Sequence, residues 1–140
     1  DIFTFLRRYA RQGLKFIESN PALEMVWYRT LKSSVDFTSE IVEEQMKEID
    51  QISIRLINQG IKEGKIKAGI NPEAAVGLIK QAIIQVMDYF YDRIASAAGA
   101  EINSLTEAEF KSAVEEIEDE VLDYVKEVLF ILKTGIKSSS

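Results

Sequence analysis

The side chains able to do chemistry are bounded first by two absences, because the 140 residues contain neither cysteine nor histidine. Thiolate nucleophiles, His-based triads, disulfides, zinc sites, His-ligated haem and the Glu-x-x-His pairs of di-iron bundles are all excluded. What remains is oxygen chemistry, from 23 acidic residues set against 17 basic ones. The densest acidic run is Glu115-Glu116-Ile117-Glu118-Asp119-Glu120. Hard cations need oxygens converging from loops or from several helices, whereas this run lies on one helix with Ile117 turned inward and the carboxylates in solvent. Gly60, Gly64 and Gly69 are spaced as helix-end and turn residues, with no preceding strand to build a phosphate cradle. No catalytic constellation, metal site or cofactor is expected, so the chain reads as a non-enzyme.

The other chemical resource is a set of large, adaptable side chains. Phe5, Tyr9, Phe16, Trp27, Tyr28, Phe37 and Met46 crowd the first half, and Ile84, Met87 and Tyr91 follow in the second. Rings and flexible thioethers line apolar ligand cavities, where a few polar groups orient the guest. They also fill ordinary cores, and spacing alone does not separate the two uses. Gln45 is a helix position able to orient a guest, as are Arg55, Lys80 and Gln85, although plain exposure to solvent is the simpler reading of each. Taken as a cavity, these residues would receive a small apolar or amphipathic molecule.

The elements that carry them read as five helices. The two prolines, Pro21 and Pro72, each follow an asparagine, the N-cap-then-N1 arrangement that opens a helix. Apolar residues at Phe3, Leu6, Ala10, Leu14 and Ile17 recur at threes and fours, predicting a first helix from Ile2 to about Glu18. A short second helix spans Ala22 to about Leu31. A long third runs from about Asp36 to Glu63, with Gly64 placed as its left-handed stop. The fourth runs from Pro72 to about Ala98. Thr106 and Glu109 form a capping box for the fifth, with Leu105 and Phe110 as its hydrophobic staple. No stretch alternates with period two, so the fold class is all-α.

The fourth and fifth helices each show two adjacent apolar seams, one more than a surface helix of a monomer needs. A second copy of the chain is the simplest cover: two long antiparallel helices from each subunit would make an intersubunit four-helix bundle. Ile79, Val86, Phe90, Val121, Leu122, Val125, Val128, Leu129 and Leu132 are the expected interface residues of that homodimer. The alternatives are that the first three helices cover both seams, or that the chain is an all-helical protein–protein interaction module with no ligand cavity.

Net charge −6 disfavours contact with a phosphate backbone by these residues themselves. No apolar run approaches the roughly 20 residues of a membrane span, and Arg7, Arg8 and Arg11 interrupt any signal-peptide core. A cytoplasmic protein with no membrane partner is expected.

The stretch Leu56-Ile57-Asn58-Gln59-Gly60-Ile61-Lys62-Glu63-Gly64-Lys65-Ile66, followed by Ile70-Asn71-Pro72-Glu73-Ala74-Ala75, resembles the C-terminal regulatory domain of TetR-family transcriptional regulators. There a long helix closes on a Gly-x-x-x-Gly-like segment and an Asn-Pro-Glu-x-Ala opening starts the first dimerisation helix. The opening Phe5-Leu6-Arg7-Arg8-Tyr9 and the later Asn20-Pro21-Ala22-Leu23 sit where that domain has a helix and then a Pro-initiated short one. The resemblance implies one ligand-binding and dimerisation domain over residues 1–140, with the last two helices forming the intersubunit bundle. It further implies that the basic helix-turn-helix DNA-binding domain is missing upstream of Asp1, so that operator DNA is contacted only through that domain. Ligand binding would then release DNA by changing the relative pose of two such units.

Overall fold

The structure, a computed structural model, describes residues 1–32 and 36–136; the side chains of residues 30–32, 36–39, 41, 42, 45 and 136 lie outside that description. The described residues form α1 (Ile2–Ser19), α2 (Pro21–Lys32), α3 (Asp36–Lys62), α4 (Pro72–Ala98) and α5 (Glu107–Ile136), with a 3₁₀ turn over Ile102–Ser104. No strand occurs among them, and the helix bounds agree with the expected ones to within two residues.

Local chemistry explains most boundaries, although Asn20, expected to cap the start of α2, instead donates its Nδ2 to Phe16 O at 3.0 Å at the end of α1. Asp1 caps α1 by accepting from Thr4 N at 2.8 Å. The Asn71 side chain accepts from Glu73 N and Ala74 N at 2.9 and 3.2 Å, satisfying two of the first-turn donors of α4. At α5 the capping box is reciprocal: Glu109 N donates to Thr106 Oγ1 at 3.2 Å, and Thr106 N donates to Glu109 Oε1 at 3.0 Å. Leu105 and Phe110 are buried in one cluster, as the staple requires. At the end of α3, Gly64 has φ +71°, and Lys65 N and Ile66 N both donate to Gly60 O at 2.9 and 3.1 Å. Ile66 folds back so closely that a Cβ on Gly60 would lie 2.7 Å from its Cδ1. The Gly-x-x-x-Gly pattern thus encodes a reversal and a close approach together.

Two apolar clusters hold the helices. One gathers Leu14, Met25, Phe90, Ile94, Phe110, Val114, Ile117 and Val121 around the junction of α4 and α5. The other gathers Ile2, Phe3, Leu6, Ile57, Ile66, Ala75, Val76, Ile79, Val125 and Leu129 toward their opposite ends. Complete burial of residues such as Ile57, Ile94 and Phe110 contributes about 1.5–3 kcal/mol each. A half-buried ion pair, Lys80 Nζ to Asp50 Oδ2 at 2.8 Å, ties α3 to α4.

The chain itself buries much of the seam expected at a subunit interface. Ile79, Phe90, Val121, Val125 and Leu129 are buried within the single chain, and Val86, Leu122, Val128 and Leu132 are half-buried on the same inward side. The cause is α1, which lies along α5 and presents Phe3, Leu6 and Leu14 to that seam. Five of the nine expected interface residues thus pack inside the single chain, and Val86, Leu122, Val128 and Leu132 keep part of their surface exposed. What α4 and α5 turn outward is a different set, including Leu78, Ile84 and Ile131, at 59, 47 and 63% exposure.

Candidate functional site

A cavity of about 570 Å³ lies where the two apolar clusters meet. Its size falls within the range of sites that enclose a small organic molecule. Its lining follows from helix periodicity. The inward face of α1 supplies Leu6, Tyr9, Ala10, Gly13, Leu14 and Ile17 at spacings of three and four, with Phe16 beside them. Ala82, Ile83, Val86, Met87, Phe90 and Tyr91 of α4 form a second wall, and Val121, Val125, Val128, Leu129 and Leu132 of α5 a third. Met46 and Ile49 of α3 and Leu23, Glu24, Val26 and Trp27 of α2 complete it. Tyr9, Phe16, Leu23 and Val26 are each about half exposed, so the cavity opens to the surface between α1 and α2.

Six of the expected ligand contacts are brought together here: Tyr9, Phe16, Trp27, Met46, Met87 and Tyr91. Phe5 does not reach the cavity but packs on the second cluster, its ring 6.2 Å from that of Tyr9. Tyr28 stands outside the lining, with its ring 4.7 Å from that of Tyr91. Ile84 points outward, because on α4 it follows Ile83 by a 100° turn. The side chains of Phe37 and Gln45 lie outside the described residues. The polar positions considered with Gln45 are used elsewhere. Lys80 pairs with Asp50, Gln85 Nε2 donates to Tyr124 Oη at 2.9 Å, and Arg55 is exposed.

The polar group that the cavity does hold was not anticipated. Glu24 lines it, and Glu24 Oε1 accepts a 2.5 Å hydrogen bond from the Tyr91 hydroxyl. Burial raises the Glu24 carboxyl above the usual carboxylate range, and the Tyr91 hydrogen bond opposes that rise. Burial and the neighbouring Glu24 carboxylate hold the Tyr91 phenol far above its ordinary value, so it stays a protonated donor. Tyr9 is shifted the same way, by burial and then by Glu48. The signal for Glu24 was present in the spacing: Glu24, Trp27 and Tyr28 stand at i, i+3 and i+4 on one face of α2.

The acidic run on α5 builds no cation site, since no group of three or more acidic side chains converges among the described residues. Its one unusual contact is between helices: Glu118 hydrogen-bonds Glu18 at the end of α1, raising the Glu18 carboxyl to about 7. Burial and Glu115 add to the rise, and Lys111 opposes it.

No family model and no curated protein matches the chain. Among solved structures it is similar to a TetR family transcriptional regulator from Chloroflexus aurantiacus J-10-FL, with a TM-score of 0.69 and 19% sequence identity. The match covers 98% of this chain and 60% of the regulator. The chain has a TetR-like fold. Identity at that level speaks to architecture, and the chain spans about 60% of the regulator's length. Among the described residues, no helix of this TetR-like fold is long and apolar enough to cross a membrane.

Proposed function

We propose that the chain is the effector-sensing and dimerisation part of a TetR-like transcriptional regulator acting in the cytoplasm. The observation that carries this reading is the apolar cavity of about 570 Å³ set between α1 and the α4–α5 pair of a TetR-like fold. A small apolar or amphipathic molecule occupies it, and no chemical conversion of the guest is involved. Operator DNA is contacted by a helix-turn-helix unit outside these residues. The coupling element is α1, which lines the cavity over most of its length while its first turn is pinned to α5 through Ile2 and Phe3. A guest that favours one tilt of α1 over another shifts whatever is joined to its start, and only that differential affinity drives the release of DNA. Two DNA-reading units then lose the half-site spacing they share.

Dimerisation uses the outward side of α4 and α5. Leu78 and Gln85 are seven residues apart, as are Tyr124 and Ile131, so each pair lies on one line of its helix. The hydrogen bond from Gln85 to Tyr124 sets the two lines side by side, and the Tyr89 and Tyr124 rings stack there at 3.9 Å and 7°. Covering the exposed parts of Leu78 and Ile131 would contribute about 1–2 kcal/mol each. Native mass spectrometry of the purified chain and of Ile131→Asp tests both parts. The expected result is a wild-type dimer that retains up to one small-molecule adduct per subunit, and a monomeric variant, because a buried unpaired carboxylate breaks the face. A monomeric wild type contradicts the dimer and favours a surface that binds a different protein.

A further inference from the structure

We propose that the cavity selects amphipathic cations, meaning an apolar body bearing one ammonium or phosphonium centre, with Glu24 as counter-ion. This rests on the sensing reading above and adds the charge class of the guest. Among the described residues Glu24 is the one carboxyl group in the cavity wall, and no Lys or Arg shares that wall. The ion pairs of the described residues join Lys65 to Glu63, Lys80 to Asp50 and Arg93 to Glu120, leaving Glu24 without a cation. Tyr91 satisfies one of the roughly four acceptor positions of its carboxylate. An acid held in an apolar wall without a charged partner costs folding energy that an uncharged residue of similar size would not. A guest cation supplies the missing charge. The rings of Tyr9, Phe16 and Trp27 belong to the same lining, and aromatic rings attract a weakly hydrated cation, whereas an anionic head group would meet Glu24 and find no basic side chain. The chain's net charge of −6 acts in the same direction at longer range.

Tetraphenylphosphonium and tetraphenylborate have nearly the same shape and opposite charge, so their difference isolates the electrostatic contribution. Each is titrated calorimetrically into the full 140-residue chain, into Glu24→Gln and into Glu24→Asp, with far-UV circular dichroism confirming that the variants fold. The wild type is expected to bind one phosphonium per chain at least about ten-fold more tightly than the borate, the ratio that about 1.4 kcal/mol provides. Glu24→Gln should bring the two ions to within about three-fold of each other, and Glu24→Asp should keep the preference. Equal affinities in the wild type, or a preference that survives Glu24→Gln, overturn the charge assignment and leave the cavity reading standing. Binding of neither ion to any of the three proteins contradicts the cavity reading itself.

Discussion

Glu18 shows how one side chain can make stability depend on pH. Its carboxyl is raised from 4.5 to about 7, first by the hydrogen bond with Glu118, then by burial and by the Glu118 and Glu115 charges. Its Oε1 atom is buried and has no donor among the described residues, a situation that a shared proton relieves. A raised acid favours folding while protonated. Its contribution is therefore complete below about pH 4.5 and is lost as pH rises through about 7. Glu63 and Glu109, which are lowered by their hydrogen bonds, act only at more acidic pH, whereas Glu24, raised by burial, adds a decline of the same sign that Glu18→Gln leaves in place. Urea unfolding of the wild type should show stability falling between pH 5 and pH 8, and Glu18→Gln should flatten that decline. The difference should stay below about 1 kcal/mol, because the pair is partly open to solvent and screened. A decline of equal size in the variant would contradict the pairing. Glu24 illustrates the limit of single-residue reading: a charge on a short helix looks solvated until α1 and α4 are packed over it, and nothing in its own type announces the Tyr91 contact.

The helices were legible because their ends are written in short-range chemistry. Asn20-Pro21, Asn71-Pro72, Thr106 with Glu109, and Gly64 each act within a few residues, so no tertiary information is needed to find them. Gly64→Ala should destabilise the chain by about 1 kcal/mol in thermal or urea unfolding, since φ +71° is strained for any side chain. An unchanged midpoint would show that the α3–α4 reversal has another conformation available. The rotation of α4 and α5 about their axes was not legible. Both seams of α5 are apolar, and whether Val121, Val125 and Leu129 face a second subunit or α1 depends on where α1 docks, through Leu6 and Leu14 more than a hundred residues earlier. Periodicity gives the angle between seams and leaves the direction of the pair open.

The protein places a cavity of about 570 Å³ where α1, α4 and α5 converge, and part of its exposed apolar surface on the far side of α4 and α5. Gly13, Ala10 and Ala82 share the cavity wall with Trp27 and Met87, and such small residues leave room that a closely packed core would fill. The aromatic and methionine content suits a core as well as a cavity, and the cavity itself emerges only from the spacing between α1 and the α4–α5 pair. The outward line through Leu78 on α4 and Ile131 on α5 and the inward cavity share the same two helices, so the dimer and the guest proposed above would act on one structural unit from opposite faces. The most direct test of the cavity as a binding site is a calorimetric titration of Nile red, an uncharged apolar dye, into the wild type and Ala82→Phe. Ala82 lines the void, and a phenyl ring there grows into empty space. One dye per chain is expected in the wild type and a loss of about ten-fold or more in affinity in the variant, with helix content and assembly mass unchanged. Equal binding by the two proteins, or no one-to-one complex in the wild type, would contradict it.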